Sequence, residues 1–151
     1  MSSPSGLGHL TGDGDHMMQL TIRQAQSVID AAEAKASEIG VPVVIAVLDA
    51  GARLKAFSRM DGAVLASIDI AMKKARTAAL FELNSEAVWE YCKPGAPAHG
   101  LELTNGGLAP FAGGIPLKDP AGELIGAVGV SGGAVSQDFE VAQAAAAAFT
   151  V

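Results

Sequence analysis

The sequence has little of several residue types, and each shortage narrows what the protein can be. Among 151 residues there is one cysteine, Cys92, so an internal disulfide cannot form, which suits a reducing compartment. Aromatic residues make up 5% of the chain, so most of its apolar residues are aliphatic, and many of these are alanines. Helices rich in alanine can approach other backbones closely. No apolar run reaches the roughly 18 residues that span a bilayer. The sequence therefore predicts no membrane segment.

Positive charge is also scarce. The net charge is −6 and the isoelectric point is near 4.9, so the general attraction to phosphate that nucleic-acid binders use is missing. We therefore expect no nucleic-acid partner. The N-terminus lacks the basic-then-apolar pattern of a signal peptide, and we expect a cytoplasmic protein.

Length and composition predict one domain. The chain is 50% hydrophobic and 17% charged, which is typical of a packed globular body and not of a disordered chain. Residues 1–16 are polar, rich in glycine and serine, and without periodicity, so we interpret them as a disordered tag or expression arm and residues 17–151 as the domain. His9 and His16 belong to that arm, which leaves His99 as the only histidine of the domain.

Hydrophobic spacing and turn residues predict the element order αββααβββα. Thr21 to Gln24 have the capping-box form that starts a helix, and Gly40 ends the same helical pattern. Because the strands are joined by short turns, they must be antiparallel, so the class is α+β and not Rossmann-like. The other predicted elements are strands 43–49 and 53–59, helices 63–83 and 85–92, strands 108–112, 115–118 and 124–130, and a last helix at 139–149.

A glycine-rich motif, Gly129-Val-Ser131-Gly-Gly133, joins the last strand to the last helix. It matches the pattern of a hydrolase nucleophile elbow, but every histidine precedes Ser131 in the chain and an antiparallel sheet is the wrong scaffold. We interpret the motif as a turn that lets strand and helix pack closely. A further interpretation is that the free amides of Ser131, Gly132 and Gly133, at a helix N-terminus, accept a carboxylate.

His99 lies in a loop with Glu102 nearby in sequence. The histidine and cysteine of one subunit cannot build a four-ligand zinc cage, whereas haem needs as little as one axial ligand. Glu102 and a symmetry mate offer His99 a second way to hold a metal. General acid/base catalysis by His99 and a merely solvated histidine stay open as well.

A basic cluster of Lys73, Lys74 and Arg76 lies on the predicted helix 63–83. Asp69, four residues before Lys73, offers an ordinary helical ion pair, and a solvated helix face is the usual meaning of such a pattern. In an acidic domain, however, this cluster is also where haem propionates or a substrate carboxylate would dock. By its helical spacing, Trp89 is predicted to lie in the core.

The sequence also contains five motifs: Met60-Asp-Gly62, the helix at 67–78, Asn105-Gly-Gly107, Gly113-Gly-Ile-Pro-Leu117, and the segment 125–133 followed by Gln137-Asp138. Together they resemble the GlcG/HbpS family over residues 20–149, including the C-terminal domain of PduO-type corrinoid adenosyltransferases. The resemblance implies a profilin-like, three-layer α/β/α fold with a five-stranded antiparallel sheet, assembled into homo-oligomers larger than a dimer. Family members include haem-binding sensors of redox stress.

Two functional hypotheses follow, beside that of a purely structural subunit. In the first, the protein binds haem or a similar compact anion near helix 63–83 and loop 94–107, with Lys73 and Arg76 pairing with carboxylates and His99 as the ligand to iron. In the second, it is a cofactor-independent or metal-assisted lyase or isomerase for an aromatic or carboxylate metabolite, with His99 as acid/base and Glu102 as its partner. Further predicted ligand-binding residues are Asn105, Ser131, Gly132 and Gly133.

Overall fold

The computed structural model describes residues 19–151, so the predicted arm at 1–16 lies outside the described residues. Within 19–151, four α-helices and four strands follow one another, with a short 3-10 turn at Leu101–Leu103. The helices are α1 (Ile22–Ile39), α2 (Ser67–Phe81), α3 (Ser85–Cys92) and α4 (Val135–Ala147), and the strands are β1 (Val44–Asp49), β2 (Leu54–Arg59), β3 (Gly114–Lys118) and β4 (Leu124–Ser131).

Helix α1 begins and ends at the residues that the sequence predicts. The Thr21 side chain accepts a hydrogen bond from the Gln24 amide at 3.0 Å, and the Gln24 side chain accepts one from the Thr21 amide at 2.9 Å. Gly40 ends the helix with a φ of 72°, a left-handed conformation that glycine adopts without a steric penalty. The predicted capping box and glycine stop are therefore confirmed.

The sheet is entirely antiparallel, in the order β2-β1-β4-β3. Helices α1 and α4 pack on one face, against a core that includes Ile45, Val128 and Val130. Helix α2 packs on the other face, over Val44 and Ala46 of β1. The predicted α+β class is confirmed, with helices on both faces of the sheet.

The sheet has four strands and not the predicted five, because residues 108–112 do not join it. Pro110 has no amide hydrogen to donate to a strand ladder. The polar backbone groups around it bond to helix side chains instead: the Ala109 amide donates to Thr77 Oγ1 at 3.0 Å, and the Ser85 hydroxyl donates to the Phe111 carbonyl at 2.6 Å. The segment therefore runs as irregular chain against α2 and α3. The predicted boundaries also shift, since α2 begins at Ser67 and α4 at Val135.

Helix α2 lies directly on the backbone of the sheet. Gly114 and Gly129 are paired across β3 and β4. A Cβ atom on Gly129 would overlap the backbone of Ala71 and Ala75, and one on Gly114 would overlap the carbonyl of Lys74. The two glycines therefore set the distance between α2 and the sheet.

Within residues 19–151, none of the helices combines the length and the apolar character that crossing a membrane requires.

Gly129→Ala is expected to lower the free energy of unfolding by about 1–3 kcal/mol or more, because the new methyl group meets rigid backbone. Gly51→Ala is the matched control, since its Cβ would lie 3.3 Å from the end of the flexible Arg53 side chain. Urea unfolding of both variants checks this. Equal stability of the two would show that α2 can move away from the sheet without a penalty.

Candidate functional site

The basic face of α2 meets the loop that follows α3. Arg76 Nη1 donates to the Asn105 carbonyl at 2.8 Å, and a Cβ on Gly107 would lie 3.2 Å from Cε of Lys73. Lys73 also forms the predicted ion pair with Asp69, with a distance of 3.2 Å between Nζ and Oδ1. The structure thus brings together Lys73, Arg76 and Asn105, three of the residues predicted to bind a ligand.

His99 is exposed and lies against the C-terminal end of α3. Its Nδ1 is 3.1 Å from the carbonyl oxygen of Cys92, the last residue of that helix. The Ala98 amide donates to the Tyr91 carbonyl at 2.9 Å, so the loop before His99 is bonded to the same helical turn. Because a carbonyl can only accept, this contact requires a proton on Nδ1, and in the neutral tautomer that meets this requirement the lone pair lies on Nε2.

Glu102, the predicted partner of His99, has a buried Oε1 with no hydrogen-bond partner within residues 19–151. The ring hydrogen bond of His99 goes to Cys92. An acid/base pair of His99 and Glu102 therefore stays a prediction.

Lys74 is not part of a solvated basic cluster, although it is adjacent to Lys73 in sequence. Its side chain is 1% exposed, and its ammonium group donates to Asp138 Oδ2 and to the Val130 carbonyl, each at 2.9 Å. The same Nζ lies 5.2 Å from the centre of the Phe111 ring. Burial lowers the pKa of Lys74, while the hydrogen bond and charge of Asp138 oppose that shift.

The glycine turn after β4 is bonded to the same carboxylate. The Gly133 amide donates to Asp138 Oδ1 at 2.9 Å, so the anion next to this amide comes from the chain itself. The Ser131 hydroxyl donates to the Ser67 hydroxyl at 3.3 Å, at the start of α2. A role for Ser131, Gly132 and Gly133 in binding an external ligand stays a prediction.

A groove of about 480 Å³ lies between α3, the segment around Phe111 and the start of α4. The sequence predicts Trp89 to be a core residue, and this is wrong: Trp89 is 42% exposed and lies in the groove wall. The signal that sequence reasoning missed is that Glu86 and Glu90 occur with Trp89 on one helical face. We call this cavity the acidic groove; it is lined by Glu86, Trp89, Glu90, Pro110, Phe111, Ala112 and Val135.

Within residues 19–151, no three histidine, cysteine, aspartate or glutamate side chains are grouped so as to hold a metal ion. Cys92 is buried, and its burial, followed by the charge of Glu102, raises the pKa of its thiol. A neutral, covered thiol is a poor ligand and a poor nucleophile.

The chain is similar both to solved structures and to a known protein family. A solved structure of a PduOC:haem complex superposes with a TM-score of 0.82 and is 36% identical, over 87% of this chain and 95% of that one. The family model described as "Haem degrading protein HbpS-like" matches residues 20–147. The chain belongs to this HbpS-like family, and the resemblance predicted from the sequence motifs is confirmed.

Two curated relatives from Citrobacter freundii extend the comparison. An uncharacterized 15.0 kDa protein from the dhaT-dhaS intergenic region is 42% identical over 132 residues, which span 87% of this chain and 92% of the relative. The corrinoid adenosyltransferase PduO is 37% identical over 135 residues, which span 89% of this chain but 40% of that enzyme. The similarity to PduO therefore covers less than half of the longer protein.

The buried pair of Lys74 and Asp138 is expected to behave as one unit in a double-mutant cycle. Lys74→Met and Asp138→Asn should each destabilise the protein by about 3–5 kcal/mol, because each leaves a buried charge without its partner. The double variant should lose less stability than the sum of the two single losses, and we expect this difference to be about 0.5–3 kcal/mol. Urea unfolding measures all four proteins, with Lys55→Met, on the exposed side of β2, as the control at about 0.5 kcal/mol or less. Strict additivity would show that the two groups do not interact.

Cys92 is expected to be unreactive in the folded protein, since its thiol is buried and its pKa is raised. An aromatic disulfide reagent at neutral pH should release close to one chromophore per chain in urea and far less in native buffer. Rapid, complete reaction of the native protein would show that the end of α3 opens readily.

Proposed function

We propose that the protein binds haem, or a similarly compact anionic ligand, on a surface formed by α2, the last turn of α3 and loop 94–107. We call this the loop surface and define it by Lys73, Arg76, Tyr91, His99, Leu103 and Asn105. The observation that carries the proposal is the hydrogen bond of His99, which leaves the lone pair of Nε2 on an exposed ring. A single neutral imidazole of this kind is sufficient to ligate haem iron.

The charge of the loop surface suits the propionates of haem. The protein as a whole has a net charge of −6. Lys73 and Arg76 nevertheless place two positive charges next to the loop that carries His99. Arg76 donates to one carbonyl through Nη1, and a guanidinium group has four further N–H donors. Lys73 already forms an ion pair with Asp69. Arg76 is therefore the stronger of the two candidates for a bidentate contact with a carboxylate.

Apolar side chains of the loop surface suit the porphyrin ring. Leu103 is 81% exposed and Tyr91 is 54% exposed. Tyr91 lies in the last turn of α3, next to the Cys92 carbonyl that positions His99. A porphyrin ring bound through His99 would cover part of this apolar surface. Burial of that surface would make the free energy of binding more favourable than iron ligation alone.

Family membership supports the same ligand. A structure that is 36% identical to this chain is a PduOC:haem complex, and the matching family model is described as haem degrading. The alternative lyase or isomerase would use the same Nε2 of His99 as its general base, and it is the similarity to the PduOC:haem complex that favours haem between the two. Haem binding is therefore the function that we propose.

The proposal predicts a shift of the Soret band when haemin is titrated into the full chain carrying His9→Ala and His16→Ala, which removes the two other histidines. His99→Ala in this background should abolish the shift. Arg76→Ala should weaken binding by up to about fivefold, as for an exposed charge pair worth up to about 1 kcal/mol. Arg23→Ala, an exposed cation on α1, is the matched control and should leave the affinity unchanged.

Three other outcomes would contradict the proposal or change the site. Absence of any Soret shift in the parent would contradict haem binding. A full shift in the His99→Ala variant would remove His99 as the iron ligand. A loss caused by Trp89→Ala and not by His99→Ala would place the ligand in the acidic groove.

A further inference from the structure

The loop after α3 contains a tight turn built on an asparagine-glycine pair. The Gly107 amide donates to the Thr104 carbonyl at 2.9 Å, and the two residues between them, Asn105 and Gly106, have φ values of 54° and 74°. Positive φ at both central positions is characteristic of a type I′ turn, in which Asn-Gly is a preferred pair. Both residues are exposed, so water reaches the whole turn.

The backbone amide of Gly106 is accessible to the side chain that precedes it. Within residues 19–151, this amide donates to no backbone acceptor, and glycine has no side chain to shield it. A Cβ built on Gly106 would have no atom within 4 Å. The Asn105 side chain donates from Nδ2 to Thr104 Oγ1 at 3.1 Å, on the same exposed surface. The two groups are therefore adjacent in the chain and open to solvent.

The other asparagine of the chain, Asn84, is held differently. Its Nδ2 donates to Glu86 Oε2 at 3.2 Å, and its carbonyl accepts from the Ala87 amide at 2.9 Å. The residue that follows it, Ser85, is fully buried and carries a side chain. Asn84 is therefore a control for Asn105 within the same molecule.

We propose that Asn105 is a site of spontaneous deamidation, a reaction that makes asparagine one of the thermally labile residues. The Gly106 amide nitrogen gives its proton to a base in solution and attacks Cγ of Asn105. A bond forms between that nitrogen and Cγ, the bond from Cγ to Nδ2 breaks, and Nδ2 takes a proton from solvent and leaves as ammonia. The product is a succinimide ring. Water then adds to one of the two ring carbonyls and breaks its bond to the Gly106 nitrogen, which takes up a proton.

Arg76 directs the second step. Its Nη1 donates to the main-chain carbonyl of Asn105 at 2.8 Å, and this carbonyl is one of the two in the ring. Attack by water turns its oxygen into an oxyanion, which a positioned, charged donor stabilises. Opening of the ring here frees the main-chain carboxylate and continues the chain through Cγ, so that residue 105 becomes isoaspartate. The new carboxylate forms at the position to which Arg76 already donates, and it pairs with the guanidinium group.

The reaction removes positive charge from the loop surface with time, and this consequence rests on the proposed haem function. Asn105→Asp, which supplies a carboxylate directly, should weaken haem binding by up to about fivefold, as Arg76→Ala does. Asn84→Asp is the matched control and should leave the affinity unchanged. An unchanged affinity of Asn105→Asp would overturn this consequence alone. A parent that binds no haem would overturn it together with the proposed function, while the reaction itself is tested without haem.

Peptide mass spectrometry of the full chain tests the reaction. A protease that cleaves after glutamate separates Asn84 and Asn105 into different peptides. After incubation of the folded protein in mildly alkaline buffer, the peptide with Asn105 should gain the mass difference between a hydroxyl group and an amino group, with release of an equal amount of ammonia. The peptide with Asn84 should remain unchanged over the time in which half of Asn105 converts. No conversion of Asn105, or equal conversion of both asparagines, would overturn the proposal.

Three variants separate the roles of the residues. Asn105→Gln should not convert, because its longer side chain would have to close a larger ring, whereas Asn84→Gln should convert at Asn105 like the parent. Arg76→Met should lower the ratio of isoaspartate to aspartate by up to about fivefold in the folded protein. In urea the ratio should be the same with and without Arg76, because the contact is lost. A ratio that Arg76→Met leaves unchanged in the folded protein would show that Arg76 does not direct the reaction.

Discussion

The fold depends on one buried ion pair. Lys74 of α2 reaches across the end of β4 to Asp138 of α4, and the second oxygen of that carboxylate bonds to the turn between them. Removing two charges from water is expensive, and the expense is offset only when each group finds further hydrogen bonds. Here the Val130 carbonyl and the Gly133 amide supply them. Gly113 leaves the space that this requires, since a Cβ at that position would lie 2.8 Å from the Lys74 ammonium.

The same ion pair orients the loop surface. Successive residues of an α-helix point about 100° apart, so fixing Lys74 toward the core also fixes the rotation of α2 about its axis. Lys73 and Arg76 then face the loop after α3, where they meet Gly107 and Asn105. The buried charge of Lys74 thus decides which way these two half-buried cations point.

Local features could be predicted from the sequence, and contacts made at a distance could not. The capping box of α1, the first hairpin, the helices and the family motifs are short patterns whose meaning needs no knowledge of the rest of the chain. Lys74 is different, because its partner lies 64 residues away. Its helical spacing from Ala71 and Ala78 could have indicated the buried face of α2, but not the carboxylate that it meets there. Residues 108–112 have the composition of a strand, but hydroxyl groups on α2 and α3 provide their hydrogen bonds. The exposure of Trp89 likewise depends on where the Phe111 segment runs.

The contact of α2 with the backbone of Gly114 and Gly129 has a consequence for how this fold acquires ligands. A side chain on either glycine would meet the backbone of α2 and separate the helix from the sheet. New specificity must therefore arise at the periphery, in loops and at sheet edges, where substitutions leave the packed layers intact.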